Sequence, residues 1–183
     1  MNTNPSELMQ ELAQHQIDSI NLTEKELNKV QEALDKYQDE ASYKVVNMVY
    51  YGDPKAQPRA KARRIGNVTS FYDPAATLKQ YVLEQLVAQL GQNFVPVSKE
   101  ISFTARYYRA MPKSLASKRV DSVLAELGVI RPLSKPDLDN FEKLLYDAVK
   151  DVLYTDDGVV VHGDHEKFYS MKPRVEIEVK YRV

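Results

Sequence analysis

The sequence contains no cysteine and no tryptophan. Without cysteine there is no disulfide, no thiolate metal site and no cysteine nucleophile, and the expected compartment is a reducing cytoplasm. No apolar run approaches the ~20 residues that a membrane helix requires, so no membrane partner is expected. The opening segment, MNTNPSELMQ, lacks the basic start and apolar stretch of a secretion signal. There is no Walker-type glycine loop, so no nucleotide cofactor is indicated. What remains is a 183-residue chain, 43% hydrophobic and 28% charged. That is the profile of a soluble globular protein with one core and room for an appendage.

The net charge of −1 hides an asymmetry. Residues 1–44 hold nine acids against four lysines, a balance of −5. The rest of the chain therefore stands at +4, a mildly basic body for which a polyanionic partner is possible. The acidic front reads as two helices. Asn4 to Glu7 offers a cap, a proline and a first-turn acid. Thr23 to Glu26 is a capping box, followed by Leu27, Val30, Leu34 and Tyr37 as one apolar stripe. That stripe is expected to pack within the protein or its own dimer. Residues 1–44 are read as a helical extension, a dimer or regulatory arm, and residues 45–183 as the main domain.

In the main domain, YKVVNMVYYG is β-rich, and DPKAQPRAKARRIGN reads as a loop because it has two prolines and no apolar period. A helix is expected from near Pro74, with Leu78, Val82, Leu86 and Leu90 on one face and Gly91 as its stop. Ile101, Phe103, Ala105 and Tyr107 alternate as in a half-buried strand. A shorter helix over 113–128 ends at Gly128. GVVV and EKFYSM look like strands, and the tail RVEIEVKYRV alternates strictly. The expected class is α/β (α+β), a small mixed sheet with packed helices.

The chemistry concentrates in residues 135–157, KPDLDNFEKLLYDAVKDVLYTDD. An amphipathic helix is flanked by Asp137 and Asp139 at its start and by Asp156 and Asp157 beyond its end. Each feature has an ordinary explanation. Asp139 with Glu142 could be an N-cap box, Asp156-Asp157-Gly158 a turn, and Lys143 a partner in surface pairs with Asp139 and Asp147. Together they suggest more. A helix over 140–150 rises about 15 Å, and residues 151–157 can reach back up to ~23 Å. Laid antiparallel to the helix, they would deliver Asp157 to its start. Carboxylates about 5 Å apart repel by roughly 3 kcal/mol at an effective dielectric of ~20, and a divalent cation relieves this. All-oxygen ligands point to Mg²⁺ or Mn²⁺. An EF-hand does not fit, since the sixth and twelfth positions from Asp137 are Glu142 and Ala148. A carboxylate-held metal beside a lysine suits attack of water on a phosphodiester, with Lys143 offsetting phosphoryl charge.

These residues resemble the RusA family of Holliday junction resolvases of bacteria and their phages. The family pattern is D-x-D-N, a lysine four residues later, and a D-D pair about twenty residues on. Asp137 and Asp139 match the first two acids, Lys143 the lysine and Asp157 the second member of the pair, with Asp156 beside it as a further metal-ligand candidate. The resemblance covers roughly residues 45–183 and includes the proline- and arginine-rich stretch and the KPRVEIEV tail. It implies a small mixed α/β domain, a homodimer, and Mg²⁺-dependent paired nicking of four-way DNA junctions in recombination and repair. The first 40 or so residues have no counterpart in the shortest members. After Asp157 the family continues as an uninterrupted strand, whereas here Gly163 and Asp164 suggest a bulge or loop. That reading is preferred to a second metal site at His162, Asp164 and His165; His162 is a weak candidate for proton transfer.

Lys55, Arg59, Lys61, Arg63 and Arg64 give five positive charges over ten residues, a candidate DNA-backbone contact. Arg106, Arg109, Lys113, Lys118 and Arg119 form a weaker second set. Tyr107, Tyr108 and Phe71 could stack on opened bases, although core packing suits Tyr107 and Phe71 better. Two opposed cuts call for a two-fold dimer. The competing readings are a non-catalytic junction-binding protein, and an interaction module in which the acidic arm masks the basic loop.

Overall fold

The computed structural model of the chain describes residues 20, 22–38, 43–58, 61–65, 68–72 and 74–182, with the side chains of 37–38, 61–65 and 68–72 excepted. The chain divides into two units, Met1–Ser42 and Tyr43–Val183. In the first unit, α1 spans Glu24–Gln38. Its start is the expected capping box: the Glu26 carboxylate accepts from the Thr23 backbone N–H at 2.9 Å and from its hydroxyl at 2.6 Å. Those bonds hold the Glu26 carboxyl below its ordinary pKa. Leu27, Val30 and Leu34 remain 50%, 43% and 46% exposed. The Asn4–Glu7 helix start and the Tyr37 side chain lie outside the described residues.

In chain order, the second unit holds β1 (Tyr43–Tyr51), β2 (Lys61–Ile65), β3 (Val68–Tyr72), α2 (Ala76–Val87) and β4 (Ile101–Ala110). There follow α3 (Lys113–Ala116), α4 (Arg119–Glu126), α5 (Leu138–Val149), a 3₁₀ turn (Asp157–Val159), β5 (Val160–Ser170) and β6 (Arg174–Arg182). Four strands form one sheet in the order β1-β6-β4-β5, with β4 and β5 parallel and the other pairs antiparallel. The sheet is mixed, as the interleaving of helices and strands implied.

Alternation on the strands sets the core. Ile101, Phe103, Ala105 and Tyr107 on β4 and Val175, Ile177 and Val179 on β6 are all buried. They meet Phe141, Leu145, Ala148 and Val149 of α5 and Val82 and Leu86 of α2. Phe141 lies against the Tyr107 ring, centroids 5.2 Å apart, and truncating such a ring costs about 3–5 kcal/mol. The outer edge of β1 is closed by side chains of α2 and of the turn that follows it. Gln89 both donates to the Val49 carbonyl and accepts from its N–H, and Gln85 accepts from the Tyr51 N–H. An open strand edge is thereby capped.

Three local expectations need correction. Residues 61–65, read as loop, form β2 and pair antiparallel with β3, Arg63 opposite Ser70 and Arg64 opposite Thr69; pairing with a neighbouring strand overrides the charge-rich composition. The helix expected over 113–128 is two pieces, α3 and α4, broken at Ser117 and Lys118. Its stop at Gly128 is right. Gly128 has φ +74°, and the Gly128 and Val129 N–H groups donate back to Ala125 and Leu124, a Schellman ending that favours glycine. Finally, β5 runs unbroken through Gly163 and Asp164, and its one register shift falls beside Val161 instead.

Candidate active site

The helix α5 begins two residues earlier than the N-cap reading of Asp139 requires. Asp137 occupies the cap position, with extended φ −72° and ψ 154°, yet its side chain makes no capping hydrogen bond. Asp139 falls inside the first turn, where it accepts only from the Asn140 amide at 3.1 Å. Both carboxylates are exposed. Lys143, one turn further, is exposed and makes no ion pair among the described residues. Of the two partners expected for it, Asp139 makes no ion pair with it and Asp147 is held by Lys79 of α2 at 2.8 Å. The ordinary structural uses of Asp137, Asp139 and Lys143 are therefore not the ones they are put to.

The segment leading to Asp137 is fastened from the sheet. Arg109 on β4 donates to the carbonyls of Ser134 and Lys135, the latter at 3.1 Å. Lys167 on β5 donates to the carbonyls of Ser134 and Pro136, each at 3.2 Å. Three consecutive carbonyls immediately before Asp137 thus satisfy two cations, and charge-assisted bonds of this kind are the stronger class. The position of Asp137 is set by residues from two strands.

At the other end of α5 the chain does not run back along the helix. Residues 151–154 turn beneath it, with Asp151 at φ +65°. Tyr154 is fully buried, bridges both Val97 and Lys150, and donates its hydroxyl to the Tyr146 carbonyl at 3.1 Å. The Thr155 N–H adds a bond to the Val97 carbonyl. Asp156 and Asp157 consequently stay at the helix end, 3.2 and 3.7 Å from the Lys150 ammonium. Asp156 also accepts from the Gly158 N–H at 2.9 Å, so the turn reading of this residue holds. The Gly158 and Lys150 donors hold its carboxyl below the ordinary range, and Asp156 in turn raises the Lys150 ammonium.

From Asp139 to Lys150 the helix rises about 16 Å at ~1.5 Å per residue. Among the described residues, no group of three or more histidine, aspartate or glutamate side chains is close enough to hold a metal ion. The expected convergence of Asp137, Asp139 and Asp157 is therefore absent within one chain. The physical reason is that the reach of 151–157 is consumed by the buried turn around Tyr154. The return leg is β5, which begins three residues too late to carry Asp157 with it.

Between the two ends, β5 packs along α5 in the opposite direction. His165 faces the helix, with Nδ1 3.2 Å from the Tyr107 hydroxyl and Nε2 2.9 Å from the Tyr146 hydroxyl. The Glu142 carboxylate approaches to 3.5 Å. Burial pushes the imidazole pKa down and the Tyr107 and Tyr146 phenols up. The alternation of β5 sends Asp164 to the opposite face, where it binds Arg106 at 2.6 Å, and His162 is exposed. The three residues do not gather as a metal site. Sequence reading missed Lys167 and Tyr146 altogether. The signal available was the period-2 pairing of His165 and Lys167 on one strand face.

Of the basic residues, Lys55 is exposed after β1, and Lys61, Arg63 and Arg64 lie in β2. Arg59 lies outside the described residues. In the second set, Arg106 is bound to Asp164 and Glu166 and Arg109 to the carbonyls before Asp137. Both are occupied within the fold, while Lys118 pairs with Asp121 at 3.4 Å. Tyr107 is buried, as its strand position implied. The Phe71 side chain is not among those described.

Fold and site together define a small α+β protein with carboxylates exposed at both ends of one sheet-packed helix. The family profile described as Endodeoxyribonuclease RusA matches residues 51–180. The chain belongs to this endodeoxyribonuclease family, and the whole of 137–157 lies inside the matched span. A relative in Bacillus subtilis (strain 168), the uncharacterized protein YqaN, is 36% identical over 137 residues, covering 74% of this chain and 95% of its own length. No helix among the described residues is long and apolar enough to cross a membrane.

Proposed function

We propose that the protein is a Mg²⁺-dependent, structure-selective endonuclease that resolves four-way DNA junctions by paired symmetric nicks. It would act as a homodimer in recombination and repair, in the cytoplasm of a bacterial or phage-infected cell. Membership of the endodeoxyribonuclease family over residues 51–180 carries this reading. The supporting observation is that Asp137 and Asp139 stand at the start of α5 without the capping role that would otherwise account for them.

The donor chemistry is all oxygen, which suits Mg²⁺, with Mn²⁺ as a substitute. Among the described residues of one chain, no complete ligand set is assembled. What the chain's own residues supply is clearer. Lys143, exposed one turn from Asp139, is placed to offset charge on a phosphoryl group bound at the helix start. Arg109 and Lys167 fix the approach to Asp137. Lys55, Arg59, Lys61, Arg63 and Arg64 provide salt-sensitive phosphate contacts that position the duplex arms without reading sequence.

The test is cleavage of a synthetic four-way junction against linear duplex, with Mg²⁺ or with EDTA, beside Asp137→Asn. The expected result is junction-selective cutting that requires the metal, and a variant that binds the junction without cutting it. Wild-type cutting in EDTA, or Asp137→Asn cutting at the wild-type rate, would overturn the reading.

A further inference from the structure

The residues between β4 and α5 expose apolar side chains beside the acids at the start of the helix. Val120, Val123, Leu127, Val129 and Leu133 are all more than half exposed, and Leu133, at 93%, is the most exposed large apolar side chain among the described residues. A single exposed leucine is ordinary on a protein surface; a concentration of this kind within residues 120–133 is not. Nor does Leu133 sit on a loose loop. Before it, the Arg131 guanidinium donates to the Gly128 carbonyl at 2.7 Å, pairs with Glu166 at 2.9 Å and lies 3.7 Å over the Phe168 ring. Pro132 is buried. After it, the carbonyls of Ser134, Lys135 and Pro136 are held by Arg109 and Lys167. The fold fixes the neighbours on both sides and leaves the Leu133 side chain in water. A side chain held in advance can enter a partner without the cost of ordering a flexible loop.

The charge in this stretch selects the partner. The acids of residues 111–135 are engaged within the fold, Asp121 with Lys118 at 3.4 Å and Glu126 with the Ser170 hydroxyl and the Met171 N–H. Lys113, Arg119 and Lys135 are exposed and make no ion pair among the described residues. The uncompensated charge is positive, which suits a polyanion. Leu133 precedes Asp137 by four residues, so their backbones stand at most ~14 Å apart at ~3.6 Å per residue. That is about four nucleotide steps at ~3.4 Å each. Resting on the nuclease reading above, we propose that Leu133 is a branch-reading wedge. It enters the stack at bases left open at the crossover of a junction, while its basic neighbours hold the flanking phosphates. Apolar side chains inserted between base steps hold distorted DNA in this way. Unstacking costs least where pairing or stacking is already interrupted, so an intact duplex resists the wedge and a crossover accepts it. Selectivity for branched DNA then sits in an uncharged side chain, and the salt-sensitive phosphate contacts serve branched and linear DNA alike.

A fluorescent adenine analogue that brightens on unstacking tests this with the full-length protein in EDTA, apart from cleavage. The analogue is placed at the crossover of a synthetic four-way junction and at the matching position of a linear duplex. The wild type should brighten the junction probe and not the duplex probe. Leu133→Ser should abolish the rise and weaken junction binding about tenfold, the order expected for losing one buried apolar side chain. Its duplex affinity, salt slope and thermal midpoint should be unchanged. Leu133→Met should restore both junction readouts. Val95→Ser, which removes another exposed apolar side chain outside this stretch, should alter neither. Unchanged junction affinity and brightness in Leu133→Ser would overturn the wedge. Equal losses on junction and duplex, or a loss that follows a change in oligomeric state, would overturn it too, making Leu133 a general DNA contact or a protein contact. A wild type that brightens the junction probe in EDTA yet cuts no junction in Mg²⁺ would overturn the nuclease reading and leave the wedge standing. One that cuts junctions without brightening the probe would do the reverse.

Discussion

The two ends of α5 carry the same kind of charge in opposite settings. At the start, Asp137 is in the cap position without capping, Asp139 accepts one weak amide bond, and Lys143 makes no ion pair among the described residues. At the end, Asp156 takes a backbone N–H and shares Lys150 with Asp157. Carboxylates at the end are compensated where they stand; those at the start are not. Local structure therefore accounts for Asp156, accounts in part for Asp157, and does not account for Asp137 or Asp139.

Substitution should expose this contrast with the largest effect. Asp139→Asn removes a charge whose contacts within the fold are one amide bond and the start of α5, so its thermal midpoint should fall only slightly. Its junction cleavage should fall by about a thousandfold, the upper range for losing a group that acts on the reacting phosphate. Asp156→Asn keeps the turn, since an asparagine oxygen still accepts from Gly158. It should lower cleavage only a fewfold. Equal losses in the two variants, measured as single-turnover rates on a four-way junction, would erase the distinction drawn between the two ends.

The next effect comes from the fastening of the start. Lys167→Met keeps an aliphatic stem but removes the donors to Ser134 and Pro136. Cleavage should fall about ten- to a hundredfold, the loss expected when a reacting group is displaced by about 1 Å. Junction affinity should be unchanged, and Lys167→Arg should recover most of the rate. A drop in affinity without a drop in single-turnover rate would make Lys167 a DNA contact and not a positioning residue.

Much of this was legible in the sequence, for reasons that differ by element. The alternation of Ile101, Phe103, Ala105 and Tyr107 was readable because one face of β4 is buried and the other is not. The glycine stop at 128 was readable because a left-handed residue is needed there. The site residues were readable as a set of chemical types at fixed spacing. Their distribution in space was not, because chain length gives only an upper bound on reach. Whether residues 151–157 extend or turn was decided by the bridge from Tyr154 to Val97, far back in the chain, for which the segment carries no local signal. Likewise Lys61 to Ile65 looked like loop because its partner strand lies outside the stretch.

What keeps the two ends at fixed spacing is the seam between α5 and β5, and Gly163 reports its tightness. A Cβ at this position would stand 3.1 Å from the Tyr146 hydroxyl and 3.3 Å from the His165 Nε2. The glycine is there for close approach, not for the bulge its presence in a strand suggested. Gly163→Ala should destabilise the fold by about 1–2 kcal/mol through overpacking, read as a shift in the urea midpoint at unchanged slope. A neutral or stabilising result would mean that Tyr146 can move aside, and that the ends are less firmly spaced than the hydrogen bonds imply.

The smallest effect is a pH dependence at the same seam. His165 sits between the Tyr107 and Tyr146 hydroxyls, with Glu142 and Asp164 nearby. Burial lowers its pKa below the ordinary 6.5. In the unfolded chain it therefore takes up a proton at a higher pH than in the fold. Its contribution to stability is complete above about pH 6.5 and is lost as pH falls toward and through the lowered folded value. Carboxylates such as Asp164, held below its ordinary 3.8 by Arg106, also lose their contribution on acidification, but only from near that value downward. Between about pH 6.5 and 5 the loss thus belongs to the imidazole. The thermal midpoint should decline over that interval in the wild type and stay nearly level in His165→Asn, whatever its absolute value. Parallel declines in the two proteins would show that the seam does not titrate, and that the spacing of the two ends is insensitive to acid over this range.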